Sequence, residues 1–449
     1  MVEPTDLRAE FARRLSDLYG REVPAYTTLV EVAQEVNREV VDELGPTAER
    51  LGSIERVSAE RHGAIRVGTP TELAQVARIF GAMGMHPTGF YDLREASAEA
   101  AVPVVSTAFR PTDPEELARN PFRVFTSLLA TSDRRFFHPD LASRLEAFLA
   151  RRELFGPRLL ELADRAEARH GLDPADADEF LTLATRSFAL STEPIDRAWY
   201  EELTAVSAVA ADIGGVGSTH VNHLTPRVLD IDALYARMTG RGIEMIDKIQ
   251  GPPRWDGPDV LLRQTSFKAL AEPRRFVEPD GRPGTGALRV RFGEVEARGI
   301  ALTRAGRTAY EEHGVAALPA TETGLAAERL AVFTVTAVPD RTRDGRTPIA
   351  DLATLLADGW LQAEPVVYED FLPRSAAGIF RSNLTEAGSR DVAQPGADLD
   401  ADWLAGVLGR PLLDPDDLYQ ARADAAEQNA FAVLGLENPS VSMQSQEQM

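Results

Sequence analysis

The chain has 449 residues, of which 44% are hydrophobic and 7% aromatic, a balance that fits an ordinary globular protein of two or three domains or one elaborate one. Its 70 acidic and 48 basic residues give a formal charge of -22, which opposes non-specific attraction to nucleic acid or anionic membranes. It has no cysteine, so disulfides, thiolate nucleophiles, iron–sulfur ligation and cysteine zinc sites are excluded, and any metal must be held by His, Asp or Glu.

In chain order, the acidic, amphipathic start MVEPTDLRAEFARR is unlike a secretory signal with its basic head and apolar stretch. No apolar run approaches the roughly 18–20 residues of a membrane span, and the expectation is a cytoplasmic protein. Lys248 and Lys268 are its lysines, the remaining positive charge being arginine, which codon usage explains better than adaptation to high salt. The first 45 residues read as two amphipathic helices, DLRAEFARRLSDLYG and TLVEVAQEVNREVVDELG, joined at REVPAY. TPTELAQVARIFGAMG is a third helix, with Thr69 as cap and Pro70 in the first turn. TGFYDL, VPVVSTAFRP and FRVFTSLL read as strands.

From about Pro139 to Asp212 the apolar spacing is three and four throughout, as in an all-α insertion. β character returns in STHVNHLTP, GIEMIDKIQ, DVLLRQTSFKAL and ALRVRFGEVEARGIAL, with helices near DIDALYARM and TRAGRTAYEEHG. Strands of one core interrupted by a helical block predict an α+β fold rather than a doubly wound parallel sheet. Neither GxGxxG nor GxxxxGK[ST] follows any strand, so a dinucleotide or P-loop site has no support. The expected organisation is 1–135 for the N-terminal helices and first part of the β core, 136–212 for the insertion, 213–436 for the second part of the core, and 437–449 for a disordered tail.

Three stretches place metal-capable side chains on expected strands. In ERHGAIRVGT, His62 and Arg66 are four apart and share a face in either a helix or a strand; the plain alternative is a half-buried histidine beside an unrelated surface arginine. In STHVNHLTPRVLDID, His220 and His223 are three apart, which sends them to opposite faces of a strand, so one can face a core site and the other cannot. In RVRFGEVEARGIALT, Glu294, Glu296 and Arg298 share one face; taken alone, a solvated charged face is the better reading. Together they hold the parts of a 2-His-1-carboxylate facial triad, whose open positions suit a 2-oxo acid and O2 on Fe(II), although zinc or manganese accepts the same donors. Arg66, on the same face as a ligand, then has the place to clamp a substrate carboxylate. A further anion-holding stretch is VVYEDFLPRSAAGIFRSN, where the small residues Ser375 to Gly378 permit close backbone approach; a tight packed loop is the plainer reading.

ERHGAIRVGT, FRVFTSLL, NHLTPRVLDID, LLRQTSFKAL, RFGEVEARG and YEDFLPRSAAGIF, in this order, resemble the 2-oxoadipate dioxygenase/decarboxylase family, the D-2-hydroxyglutarate synthases. The likeness spans about residues 5 to 430. It implies a vicinal-oxygen-chelate-like central β-barrel of paired βαβββ-like units, with added helices and a non-haem Fe(II) centre. The family's ligands fall on His62, His223 and Glu296, with Glu296 rather than Glu294 carried over, and its substrate-carboxylate arginine falls on Arg66. The loop before SAAGIF also touches substrate in the family; Arg374 and Ser375 fall there, and Arg374 stands where a small apolar residue is expected, which bears on the diacid length preferred. The implied reaction converts 2-oxoadipate and O2 to (R)-2-hydroxyglutarate and CO2, a step of lysine degradation. The implied partners are a small 2-oxo dicarboxylate and O2, with neither nucleic acid nor membrane. The competing readings are a metal-dependent hydrolase or isomerase using the same His/His/Glu set, and a non-catalytic ligand-binding protein.

Overall fold

The computed structural model describes residues 1–95, 101–289, 291–338, 341, 346–372, 379, 383 and 390–436. Helices α1 (Pro4–Glu22) and α2 (Pro24–Leu44) meet at Val23, whose N–H completes α1 on the Tyr19 carbonyl at 2.7 Å. Pro24 opens α2 because its missing N–H is no loss in a first turn. Leu7, Phe11, Leu15 and Tyr19, four apart on α1, are buried against a sheet. Cutting one such aromatic back, Phe11→Ala, removes about 3–5 kcal/mol.

A short helix α3 (Ile54–Ala59) leads into β1 (Arg61–Val67), then α4 (Pro70–Gly81), β2 (His86–Asp92), β3 (Val104–Arg110), α5 (Pro114–Arg119) and β4 (Arg123–Leu129). α4 begins with a capping box: the Glu72 amide donates to Thr69 Oγ1 and the Glu72 carboxylate accepts from the Thr69 amide. The strands lie in the order β2-β3-β4-β1, with β1 and β4 parallel and the other pairs antiparallel. This is a βαβββ unit. The 136–212 stretch holds α6 (Pro139–Leu149), α7 (Pro157–Arg169), α8 (Pro174–Ser187), α9 (Arg197–Thr204) and most of α10 (Ala208–Gly214). It is not wholly helical, because β5 (Ile195–Asp196) pairs in parallel with β8 (Glu272–Val277), which pairs in turn with β9 (Pro283–Leu288).

The same connectivity then recurs. β6 (Val221–Pro226) is followed by α11 (Ile231–Gly240), an extended stretch bridged at Met245 and Gln250, β7 (Leu262–Ser266) and β10 (Glu294–Arg298). β10 runs antiparallel to β7 and bridges in parallel to the end of β6 through Arg227 and Glu296. The two units join where β6 pairs antiparallel with β1. The fold is therefore mixed α+β. Among the described residues the strands are grouped as sheets of five, three, two and two rather than joined in one closed barrel. The second two-stranded sheet pairs β11 (Phe333–Ala337) with β12 (Leu361–Pro365).

The strand period divides the five-stranded sheet into two environments. Ile65, Val67, Val105, Phe109, Val124, Leu128, Val221 and Leu224 face the helical layer and share its apolar core. The opposite face carries His62, Arg66, Ser106, Arg110, Arg123, Ser127 and His223, all buried. Polar side chains under that much cover are tolerated only when hydrogen-bonded or paired, and this is the face that holds the site.

Candidate metal centre

His62 on β1, His223 on β6 and Glu294 at the start of β10 form the cluster. One ligand atom from each lies within 4.8 Å of the other two. Glu294 stands between the rings, with Oε2 at 3.3 Å from His62 Nε2 and Oε1 at 3.5 Å from His223 Nε2. Metal–ligand bonds near 2.1 Å separate neighbouring donors by about 3 Å at right angles and about 3.4 Å at tetrahedral angles. The spacing therefore fits one divalent ion held by imidazole and carboxylate.

Each histidine is oriented from behind. His62 Nδ1 lies 2.7 Å from Glu296 Oε2, and His223 Nδ1 lies 3.1 Å from Thr225 Oγ1. With Nδ1–H donating to these oxygens, both Nε2 lone pairs point into the gap, the arrangement metal-ligating histidines adopt. Phe371 meets the His62 ring edge-on at 5.0 Å, and Phe292 stacks on His223 at 5.3 Å, so the rings are walled by apolar surface.

The resemblance carried the carboxylate ligand onto Glu296, whereas the geometry groups Glu294 with the two histidines. Both glutamates share a face of β10, but Glu296 is spent on other partners. Its Oε1 accepts from Arg298 Nε at 2.7 Å and Arg123 Nη1 at 3.3 Å, and its Oε2 accepts from Arg298 Nη2 at 2.9 Å while pairing with His62. Behind it, Arg56, Arg123, Arg227 and Arg298 interleave with Glu60, Glu296 and Glu369. Four guanidinium groups against three carboxylates leave this buried network positive. Burial opposes ionisation of Glu296, but Arg298 and His62 outweigh it and hold its carboxyl at about 2. Burial instead pushes Glu294 above the usual range, against the pull of His62 and Arg66. Glu294 is thus less compensated by positive charge than Glu296.

The two imidazoles also differ. Burial works against a proton on His62, yet Glu296 and Glu294 raise it above the usual value. Burial, aided by His62 and Arg66, holds His223 well below.

The expectation that His220 and His223 face opposite ways does not hold, because β6 carries a bulge. Ala64 pairs with His223 and Ile65 with Val221, leaving Asn222 as the extra residue. One inserted residue restores parity, and His220 comes to the same side as His223. It does not join the metal cluster; its Nε2 lies 3.4 Å from Asp212 Oδ1. Arg66 forms a buried ion pair with the same Asp212 through Nη1. The charged face of β10 is buried rather than solvated, Glu294, Glu296 and Arg298 being 5%, 0% and 3% exposed. Arg374 and Ser375 lie outside the described residues.

Several contributors escaped the sequence reading. Arg123 is the charged residue of its strand RVFTSLL, and Glu369 lies in YEDFLP; a charge among mostly uncharged residues was the signal available. Asp212 ends a stretch legible only as helix. Gln264 donates to Glu294 Oε2 at 3.4 Å, which nothing local announces. No helix among the described residues is long and apolar enough to cross a membrane.

Two βαβββ units meeting at a buried pair of histidines and a carboxylate define a protein of mixed α+β class with a candidate metal site. The family model for 2-oxoadipate dioxygenase/decarboxylase matches residues 11–383, and the chain belongs to that enzyme family. It is 56% identical over 431 residues to the 2-oxoadipate dioxygenase/decarboxylase of Mycobacterium tuberculosis strain H37Rv, covering 94% of this chain and 97% of that one. The Pseudomonas putida relative of the same name is 40% identical over 453 residues, covering 93% and 94%. The crystal structure of the hydroxyglutarate synthase from Pseudomonas putida in complex with 2-oxoadipate superposes with a TM-score of 0.83 at 37% identity, covering 97% of this chain and 99% of that one.

Proposed function

We propose that this chain is an Fe(II)-dependent dioxygenase that converts 2-oxoadipate and O2 to (R)-2-hydroxyglutarate and CO2. The observation carrying it is the His62–His223–Glu294 cluster, beside Arg66, in a member of this family. The equation balances without an external reductant: the substrate loses one carbon as CO2, and the two oxygen atoms of O2 enter the new carboxylate and the new hydroxyl. The pair of βαβββ units supports a vicinal-oxygen-chelate-like core.

His62, His223 and Glu294 would hold the metal, with Glu296 and Thr225 orienting the imidazoles. Iron bound there would supply the O2 chemistry. The protein supplies geometry. Arg66 would hold the distal carboxylate and so fix which carbon of the substrate faces the His62–His223–Glu294 cluster, an orientation effect. Phe371 and Phe292 keep water from the rings. The positive network behind Glu296 keeps that carboxylate ionised and turned to His62 Nδ1, preserving the tautomer the metal needs.

The test is anaerobic reconstitution with Fe(II), then O2 uptake, CO2 release and product analysis across 2-oxo diacids of different length. Stoichiometric O2 and CO2 with 2-hydroxyglutarate from 2-oxoadipate is the expected outcome. Activity with zinc that is indifferent to oxygen would instead favour a hydrolase or isomerase.

A further inference from the structure

Arg66 is held at both its side chain and its backbone. Its Nη1 donates to Asp212 on α10, and its backbone carbonyl accepts from Thr219 Oγ1 at 2.7 Å. Asp212 is itself fixed: Asn222 Nδ2, on the bulge of β6, donates to the same Oδ2 at 2.9 Å and also lies 3.1 Å from His220 Nε2. Asp212 is 5% exposed and Asn222 is fully buried. Asp212, His220 and Arg274 also line a cavity of about 360 Å³ between α10 and β8, so Asp212 stands at the wall between that space and Arg66.

A guanidinium is planar, with five N–H donors in one rigid fork. Fixing one corner against a buried carboxylate that Asn222 also holds sets the plane and direction of the whole fork. An arginine on a bare strand would keep most of its rotamer freedom and would have to lose it when an anion bound. We propose that Asp212 is a positioning residue that pre-orients Arg66 for the second carboxylate of a 2-oxo diacid, so the helical insertion, through α10, governs selectivity for diacids over 2-oxo monoacids. This rests on the reading that Arg66 binds the distal carboxylate.

The test compares wild type, Asp212→Ala, Asp212→Asn, Arg66→Ala and the double variant Arg66→Ala/Asp212→Ala. Substrates are 2-oxoadipate and 2-oxohexanoate, which has the same chain without the distal carboxylate. Readouts are kcat and KM separately, iron content, and the dissociation constant of 2-oxoadipate for the anaerobic iron-loaded protein. Asp212→Ala is expected to raise KM and Kd for 2-oxoadipate at least tenfold, to leave 2-oxohexanoate within twofold, and to leave iron content unchanged. In the Arg66→Ala background the same change should add less than twofold, because a residue acting through Arg66 has nothing left to act on. Asp212→Asn keeps an acceptor oxygen and should fall between; it carries the test if Asp212→Ala does not fold.

Equal losses for the two acids, or full additivity in the double variant, would overturn the inference. So would tighter 2-oxoadipate binding in Asp212→Asn, which would make Asp212 a mere counter-charge. If Arg66→Ala keeps wild-type KM for 2-oxoadipate, the reading of Arg66 falls and the inference with it. If Arg66→Ala behaves as expected while both Asp212 variants match wild type, the inference alone falls.

Discussion

Replacing each β10 glutamate by glutamine separates the proposed metal ligand from the group proposed to orient one. Glu294→Gln removes a carboxylate that lies 3.3 and 3.5 Å from the two imidazole Nε2 atoms, and the protein should retain no iron after anaerobic loading and desalting. Its metal-free fold should lose little or gain, since a neutral amide replaces a carboxylate that burial already pushes towards protonation. Glu296→Gln should do the reverse. It leaves Arg298 and Arg123 facing a neutral group, and breaking a buried pair costs about 3–5 kcal/mol. Unfolding entropy of about 2.1 cal/mol/K per residue, over 449 residues, is about 0.9 kcal/mol/K, so the metal-free melting temperature should drop by about 3–5 °C. Iron should still bind, about 10–100-fold more weakly, because His62 loses the partner of its Nδ1. Metal analysis and calorimetry on the two metal-free variants decide the matter. Stoichiometric iron in Glu294→Gln with none in Glu296→Gln would refute the assignment.

Thr225→Val removes the oxygen 3.1 Å from His223 Nδ1 and should weaken iron binding about 10–100-fold with little change in fold, measured by competition with a chelator. Arg66→Ala should keep its iron and raise KM for 2-oxoadipate by roughly 30-fold or more, the loss of a charged contact worth about 2 kcal/mol. Burial opposes ionisation of Glu60, yet Arg123 and Arg227 hold its carboxyl well below the ordinary 4.5. Its contribution to stability is therefore complete above pH 4.5 and is lost as the pH falls below that value. The melting temperature of Glu60→Gln should lie below wild type at pH 7, and the gap should narrow steadily between pH 4.5 and 3; a constant or widening gap would sink this account.

The sequence by itself determined which residues could take part and which side of a strand they would occupy. With no cysteine, a metal had to be held by His, Asp or Glu. Strand parity put His62 with Arg66, and Glu294 with Glu296 and Arg298, on shared faces, and the ordered motifs pointed to the family. Parity is a local property of the backbone, which is why it was legible. Tertiary structure decided the rest. Glu294 and Glu296 are two residues apart on one face, and only the placement of β10 against β1 and β6 shows which of them stands between the imidazoles and which meets Arg123 and Arg298. The bulge at Asn222 exists only in the pairing of β6 with β1, so the spacing of His220 and His223 misled. Asp212 reaches Arg66 across 146 positions of chain. Periodicity sets the face of a side chain, whereas its depth, its partners and its charge environment depend on strands and helices brought together from elsewhere in the chain.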